Sequence, residues 1–309
     1  MTTFHHVESI GHKHRISSLE DNIKDFIDWS FLHIGGFINV SGTTSGLYGS
    51  NFNTLKPVNE PSQTSRVWEA PRKDWVYESG VTYKNISPLS ISGIYVNNTF
   101  LPSPTGSGNY GYNINYPLGR IEFNNNISST SNITLNYSYR YVQVYKANDS
   151  AWWKEIQSET YNPANIKTSG DYAITANHRV QMPMVMIETI PRTVLTPREL
   201  GNTDNIIIQD LLLHVFSENI NQRNSLVDIL VLQKDKTISL YNYNNVVKDG
   251  VYALNKNGSI NPTGLNYDQL SENYRRHWCT IKNSSISELN TYTTSLYNGI
   301  VRWSVEIFP

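Results

Sequence analysis

The sequence predicts a mainly β protein with few helices. We expect a β-sandwich or barrel-like module followed by a C-terminal α+β sheet domain. Three observations favour this fold class. The chain contains 20 Tyr against 9 Phe, and its short runs of Val, Ile and Thr are typical of strands. Residues 133–141 alternate between apolar and polar side chains, as a half-buried strand does. Residues 206–216 are apolar on both alternating faces, which predicts a strand in the middle of a sheet.

Composition and charge limit the classes of function. A chain of 309 residues with 39% apolar and 17% charged residues can bury a core, and its length suggests two domains. A net charge of −1 gives no overall basic surface for nucleic acid, although a local basic stripe stays open. Because no apolar run approaches ~18 residues, and the first residues carry no signal peptide, we expect no membrane association and assembly in a cytoplasm. The single Cys279 excludes an internal disulfide, and we interpret it as a buried residue beside Trp278.

The chain divides into six predicted segments. They are a flexible arm at 1–16, an amphipathic helix at 17–36, an extended loop or arm region at 37–87, a β-module at 88–146, a connector at 147–178 and an α+β sheet domain at 179–309. The arm holds four His, but no carboxylate or Cys completes a metal-ligand set there. We therefore expect neither a metal nor a cofactor.

The helix at 17–36 is the clearest in the sequence. Ser17 and Glu20 form a capping box, and Gly35-Gly36 ends the helix. Apolar residues share one stripe: Leu19, Ile23, Phe26, Ile27 and Phe31. The opposite face is polar: Glu20, Asp21, Lys24, Asp25 and Asp28. The stripe packs on its own domain or docks on another subunit, and in the second case Phe26 and Phe31 are candidate interface residues.

Aromatic and basic residues alternate after the loop at 43–64. Trp68 and Trp75 lie near Arg66 and Arg72, a mixture found at strand edges that pack on a core and also at nucleic-acid or glycan sites. In the β-module, the letters G-x-G-x-x-G occur at 106–111. Prolines precede them and no helix can follow, so we interpret them as a hairpin loop and not as a phosphate site.

Two further groups of side chains are candidates for contact surfaces. Trp152 and Trp153 lie together in the connector and suit a core, an interface or a sugar platform. Met182, Met184 and Met186 occupy one face of a strand at 180–187, where adaptable side chains suit a contact surface or a core. Pro183 on the other face indicates an edge strand.

The C-terminal domain is organised around residues 205–244, which predict a strand, a turn, a helix and a second strand. Asn224 is expected to cap a helix over 225–233, and residues 237–241 alternate as a half-exposed strand does. Further predictions are hairpin turns at Asn257-Gly258 and Asn298-Gly299 and a short helix over 267–278, with Leu270 and Tyr274 inward.

The sequence contains no motif for catalysis. We find no nucleophile elbow, no zinc-protease helix, no Walker loop and no paired cysteines. Asp210 and His214 share a strand face at i and i+4 and could pair, which is weak evidence for acid–base chemistry. We therefore expect no enzyme activity and name no catalytic residues.

Two stretches resemble structural proteins of tailed bacteriophages. Residues 91–145 are similar to a β-module of virion proteins, through Gly93-Ile94-Tyr95-Val96-Asn97, Gly111 to Tyr116, Gly119-Arg120-Ile121-Glu122-Phe123 and Tyr137-Ser138-Tyr139. Residues 210–241 resemble the strand–helix–strand unit of small neck and tail-terminator proteins, in which His214 to Asn219 lead into a helix through Arg223-Asn224. Together these stretches cover about a third of the chain. Those neck proteins are often shorter and lack the β-module.

The resemblance implies a ring-forming subunit at the head–tail junction or upper tail of a virion. Its expected partners are further copies of itself, the portal or adaptor proteins and the tail tube or sheath, with DNA in the channel as an open alternative. Two other interpretations stay open. A glycan-binding tail, baseplate or fibre module predicts exposed Trp pairs at 152–153 or 68–75. A hydrolase on a β scaffold predicts a cleft with converging carboxylates.

Overall fold

The computed structural model describes residues 15–42, 52–58, 65–103, 110–149, 172–173, 179–198, 205–293 and 296–308. In this part of the chain the fold is mainly β with four α-helices, as predicted. The first nine strands are β1 (Phe37–Val40), β2 (Lys56–Pro57), β3 (Val67–Glu69), β4 (Gly93–Val96), β5 (Thr99–Pro102), β6 (Tyr112–Asn115), β7 (Arg120–Phe123), β8 (Ile133–Thr134) and β9 (Tyr137–Arg140). The others are β10 (Gln143–Lys146), β11 (Tyr172–Ala173), β12 (Arg179–Val180), β13 (Met184–Pro197), β14 (Asn205–Ser217), β15 (Thr237–Tyr241), β16 (Arg275–Thr293) and β17 (Leu296–Phe308). The helices are α1 (Arg15–His33), α2 (Ile220–Val231), α3 (Tyr243–Asp249) and α4 (Tyr267–Asn273).

Helix α1 buries more of its surface than an amphipathic surface helix does. Its apolar stripe packs against the main sheet as predicted. The side described above as polar is also covered, because Glu20 and Asp28 are buried. The predicted capping box at Ser17 is wrong, since α1 starts at Arg15 and Ser17 lies inside the helix. After the helix, Gly35 adopts a φ of +87°, and the Gly36 N–H donates to the Phe31 carbonyl at 2.8 Å, which caps the helix C-terminus.

The β-module is built from three small sheets around one core. The order β2-β3-β7-β6 forms a four-stranded sheet, β5-β4-β8 a three-stranded sheet and β1-β9 a pair. Side chains from all three meet in one apolar cluster, which includes Trp68, Ile94 and Tyr137. The prediction of an extended arm over 37–87 is wrong for its described parts, because they contribute β1, β2 and β3 to this module. Burial of apolar side chains such as Val67 and Trp68 draws the segment into the core.

The C-terminal domain is a six-stranded sheet in the order β10-β13-β14-β17-β16-β15. Strand β14 lies inside it, as predicted, and pairs with β13 and β17 over most of its length. Helices α1 and α2 cover one face, here called the helix-covered face, where Leu213, Val301 and Trp303 are fully buried. The opposite face is here called the open face. The Trp303 indole N–H donates to the Leu230 carbonyl of α2 at 3.1 Å, which fixes the helix on the sheet.

Helix α2 begins five residues earlier than the sequence predicts. Asn219, and not Asn224, is the N-cap, and its side chain accepts a hydrogen bond from the Asn221 N–H. Ser217 supports this start because its hydroxyl donates to the Asn219 carbonyl at 3.1 Å. Arg223 therefore lies within the helix, where it is buried and donates to the Asn298 carbonyl at 2.8 Å.

The last two strands form a long hairpin that the turn signals only partly predict. The predicted helix over 267–278 ends at Asn273, and β16 begins at Arg275. Leu270 is buried as expected. Asn257-Gly258 lies in a turn, where Gly258 has a φ of +77°. The predicted turn at Asn298-Gly299 is wrong, because both residues lie inside β17. Glycine is needed there for space, since a Cβ on Gly299 would lie 2.6 Å from Val227 Cγ2 of α2.

Candidate assembly surface

Among the described residues, no strand covers one edge of the six-stranded sheet along the second half of β13. Strand β10 pairs with β13 only from Met184 to Ile187. Beyond Ile187, no described strand lies on the outer side of β13, and residues 191–198 are exposed. The prediction of an edge strand at 180–187 therefore fails for the paired part, because β10 covers it. The free edge lies further along the chain, at 188–197.

A second free edge lies on the opposite side of the same sheet. Strand β15 pairs with β16 up to Thr280, and backbone hydrogen bonds from the preceding turn reach Ile281. From Lys282 onward, no described strand pairs with the outer side of β16. Exposed backbone edges of this kind are templates for pairing with another chain, and natural proteins usually cover or interrupt them.

Apolar side chains are exposed along both free edges. Leu195 is 58% exposed on the first edge, and Ile286 and Leu289 are 47% and 51% exposed on the second. Leu195 pairs with Ile207 and Ile286 with Val301, so both lie on the helix-covered face. None of these residues was predicted from the sequence to form an interface. The alternation of Ile286 with Ser285 and Ser287, and the run Thr291-Tyr292-Thr293, could have indicated a strand there.

The open face carries paired charges beside the first free edge. Arg302 contacts the Asp210 carboxylate, and His214 Nε2 lies 2.8 Å from Glu188 Oε2. The pairing of Asp210 with His214 suggested by their spacing is therefore wrong, because each has a partner on a neighbouring strand. Side chains from four strands surround a shallow concavity of about 490 Å³ here, and they are Arg192, Val194, Ile208, Asp210, Asn283, Ser285, Arg302 and Ser304.

The candidate interface residues chosen from the sequence lie mostly inside the chain. Phe26 and Phe31 are buried against the main sheet. Met184 and Met186 are buried on the open face with Ala147, Phe216 and Leu296, and Met182 is partly buried beside them. They are therefore not exposed for contact with a partner. Trp152 and Trp153 lie outside the described residues.

The second aromatic pair is also internal. Trp68 is 1% exposed and Trp75 is fully buried in the core of the β-module. The Trp75 indole N–H donates to the Arg72 carbonyl at 2.9 Å. The exposed Trp68 and Trp75 that a glycan-binding module predicts are thus contradicted, and the core interpretation of this pair is correct.

A buried charge network joins α1 to the β-module. Arg140 of β9 donates to the Glu78 carboxylate and, at 3.1 Å, to the Trp75 carbonyl, and its Nε lies 3.8 Å from Asp28 Oδ1. Lys24 Nζ lies 3.2 Å from the other oxygen of Asp28. Because Arg140 is only 4% exposed, these contacts compensate a charge that would otherwise be costly to bury.

Burial shifts the protonation of this network. It raises the pKa of Asp28 to about 6, although Lys24 and Arg140 oppose the rise. Burial also raises the pKa of Asp25, against the opposing effects of Lys24 and of a hydrogen bond from Tyr241. Burial alone raises the pKa of Cys279 to about 12, which fits its predicted place in the core.

Comparisons with known proteins do not identify the chain. No family model matches the sequence, and no curated protein matches it significantly. Among the described residues, no helix is both long and apolar enough to cross a membrane, and no group of three or more His, Cys, Asp or Glu could hold a metal ion.

Proposed function

We propose that this chain is a structural protein of a tailed-phage virion that assembles head to tail into a ring at the head–tail junction. The observation that supports assembly into a ring is the pair of free edges on opposite sides of one sheet. The place in the virion rests on the resemblance of residues 91–145 and 210–241 to neck and tail-terminator proteins. The strand–helix–strand unit of that resemblance corresponds to β14, α2 and β15.

The two edges are similar in length and opposite in direction, and each is interrupted by bulges, at 189–193 on the first and at 281–283, 286–288 and 291–293 on the second. The first spans ten positions, 188–197, and the second spans twelve, 282–293. Successive pairs from β13 through β14 and β17 to β16 are antiparallel, so β13 and β16 run in opposite directions. A rotation about an axis roughly along the strands keeps these directions. It would place β13 of one copy antiparallel to β16 of the next, and antiparallel strands pair well.

The two edges are also staggered along the sheet. Residues 188–197 lie toward the end where Ile207 pairs with Ile307, and residues 282–293 lie toward the end where Ser217 pairs with Tyr297. Joining them shifts each copy along the strands relative to its neighbour. A shift of this kind closes into a ring when the strands tilt from the ring axis, as they do in closed barrels. A heterologous contact whose rotation closes forms a ring, and one whose rotation does not close forms a helical filament.

Side-chain chemistry supports the same contact. Leu195 and Ile286 lie on the same sheet face, so edge pairing would cover both. Exposed Arg192 lies on the first edge and exposed Glu288 on the second, while Glu188 and Lys282 on the same edges are paired with His214 and Glu306 within the chain. Charge complementarity of this kind favours the correct register and orientation.

Mass photometry of the full chain tests the proposed contact. We expect oligomers for the wild type and loss of oligomers for Leu195→Glu and for Ile286→Glu, since each places a charge in the buried seam. Ile86→Glu is the matched control, because Ile86 is 56% exposed in the β-module, away from both edges. If both the Leu195→Glu variant and the Ile286→Glu variant still form oligomers, the proposed contact is contradicted.

A further inference from the structure

The two free edges can meet in only a few registers. Residues that lie directly opposite each other in an antiparallel pair point to the same face of the sheet. Leu195 points to the helix-covered face, since it pairs with Ile207. On the second edge, four residues that pair with β17 point to the same face, and they are Ser284, Ile286, Leu289 and Thr291. Leu195 therefore lies opposite one of these four residues.

Each of these registers shifts neighbouring copies along the strands by a different distance. Within one chain Leu195 lies level with Ile307 of β17, because Leu195 pairs with Ile207 and Ile207 pairs with Ile307. The four candidate residues lie level with Trp303, Val301, Gly299 and Tyr297 of β17, which are four, six, eight and ten positions from Ile307. At ~3.3 Å per residue, the corresponding shifts are about 13, 20, 26 and 33 Å.

The shift determines how far the strands tilt in a closed ring. Each copy contributes four strands, β13, β14, β17 and β16, between one junction and the next. At ~4.8 Å per strand, these four strands span about 19 Å. The four registers then require tilts of about 35°, 46°, 54° and 60° from the ring axis, and strands of closed barrels tilt by about 35–45°. Closure of the ring therefore favours the shifts of four and six positions.

Strand β10 excludes the shift of four positions. It occupies the outer side of β13 as far as Ile187. With Leu195 opposite Ser284, Ile187 would fall opposite Thr291 of the neighbouring copy. Strands β10 and β16 would then compete for the same edge of β13. Ser284 is also a poor partner for Leu195, because it is buried and its hydroxyl donates to the Leu230 carbonyl at 3.3 Å.

The shift of six positions covers the whole of the first free edge. With Leu195 opposite Ile286, residues 188–197 lie alongside residues 284–293. Both segments contain ten residues, and in both segments two of the ten are extra residues in bulges, so they offer equal numbers of pairing positions. Thr293 is the last residue of β16, so β10 begins along β13 just past the point where β16 of the neighbouring copy ends.

Side chains fit together in this register. Leu195 and Ile286, which are 58% and 47% exposed in the single chain, cover each other on the helix-covered face. Leu289, which is 51% exposed, lies opposite Thr193. Cross-strand contacts of this kind contribute to the stability of a sheet. Pro197, which has no backbone N–H, lies at the end of the seam, where a missing donor is tolerated.

We propose that residues 188–197 of one copy pair with residues 284–293 of the next, with Leu195 opposite Ile286. This inference rests on the ring proposed above and specifies the register of its contact. The seam makes one continuous sheet, in which β16 of one copy and β10 of the next follow each other along the same edge of β13. Neighbouring copies are then shifted by about 20 Å along the strands.

Disulfide crosslinking of the full chain tests this register. Thr196→Cys is combined in turn with Ser285→Cys, Glu288→Cys and Asn283→Cys, which lie opposite it for shifts of six, eight and four positions. All four residues are exposed on the open face. We expect disulfide-linked oligomers after treatment with glutathione disulfide only for the combination with Ser285→Cys. Directly opposite residues have Cβ atoms about 4.5–5.5 Å apart, which is close to the distance in a disulfide.

The crosslinks can join only different copies. Thr196 and Ser285 of one chain lie on opposite edges, three strand spacings or at least about 14 Å apart, which is too far for a disulfide. The native Cys279 is fully buried and does not compete for oxidation. Thr196→Cys alone is the matched control, and it should give no ladder of linked oligomers.

Mass photometry of the reduced variants separates this inference from the proposed function. If the wild type and every variant are monomers, the ring is contradicted and the register with it. If oligomers form and crosslink through Glu288→Cys or Asn283→Cys in place of Ser285→Cys, the register is wrong and the contact between the two edges stands. If oligomers form and none of the three combinations crosslinks, the copies meet through another surface and the inference is overturned.

Discussion

At the scale of single residues, Arg140 is the side chain on which most of the buried charge depends. It contacts Glu78, Asp28 and the Trp75 carbonyl, and its ring contact with Tyr77 places the guanidinium 4.9 Å from the centroid. The sequence placed Arg140 on the polar side of an alternating strand. Periodicity could not show that this side is also covered, because the cover comes from α1, more than a hundred residues earlier.

Arg140→Met should lower the free energy of unfolding by about 3–5 kcal/mol, because it leaves the Glu78 and Asp28 carboxylates buried without their cation. Chemical denaturation measures this change. The control is Lys282→Met, which removes an ion pair between the side chains of Lys282 and Glu306, 50% and 22% exposed, and should cost about 0–1 kcal/mol. Equal decreases in the free energy of unfolding of the two variants would show that the buried Arg140 network contributes no more stability than an exposed ion pair.

The raised pKa of Asp28 predicts a pH dependence of stability. Its pKa is about 6 in the folded chain against a usual value of 3.8, so between these values the folded state binds more protons than the unfolded state. Stability from this group therefore increases as the pH falls from 7 toward 4. Asp28→Asn should remove that part of the pH dependence. Unfolding curves at several pH values check it, and identical pH profiles for the two proteins would contradict the assignment.

At the scale of secondary-structure elements, the start of α2 shows where sequence signals compete. Asn219, Asn221 and Asn224 all suit an N-cap, and the sequence favoured the last because apolar periodicity begins after it. The structure uses Asn219, so α2 starts five residues earlier and includes Arg223, which is buried and donates to the Asn298 carbonyl.

Asn219→Ala should destabilise the fold by about 1 kcal/mol through loss of the cap, and Asn219→Asp should retain most of the stability. Asn221→Ala is the control, because its exposed side chain is not the cap. Thermal or chemical unfolding measures both. A larger loss for Asn221→Ala than for Asn219→Ala would refute the cap assignment.

Strands could be predicted from the sequence where one face or both faces of the strand are apolar. Strand β14 was located from its continuous apolar run, and β9 from the alternation over residues 133–141. The far half of β16 was not, because Asn, Ser and Glu separate its few strand-forming residues and leave no sustained alternation. Such residues are tolerated there because the strand is exposed. Its exposure depends on which strands pair with each other, and the periodicity of the sequence does not show that.

At the scale of the whole molecule, the sequence could predict a β-module and a sheet domain but not their free edges. A free edge depends on where a neighbouring strand stops, as β10 stops after Lys146 beside β13. The candidate surface therefore had to come from the structure. The phage resemblance supplied the expectation of a ring, and the staggered edges supply a specific contact through which such a ring would form.

Native mass spectrometry of an equimolar mixture of Leu195→Glu and Ile286→Glu tests head-to-tail assembly most directly. Each variant keeps one intact edge, so each alone should remain monomeric. Together they can form one intact β13–β16 contact, which gives a heterodimer and nothing larger. Heterodimers in the mixture, beside ring-sized wild-type oligomers, are the predicted result. Self-association of either variant alone, or a wild type that stays monomeric at every concentration tested, would contradict assembly through these two edges.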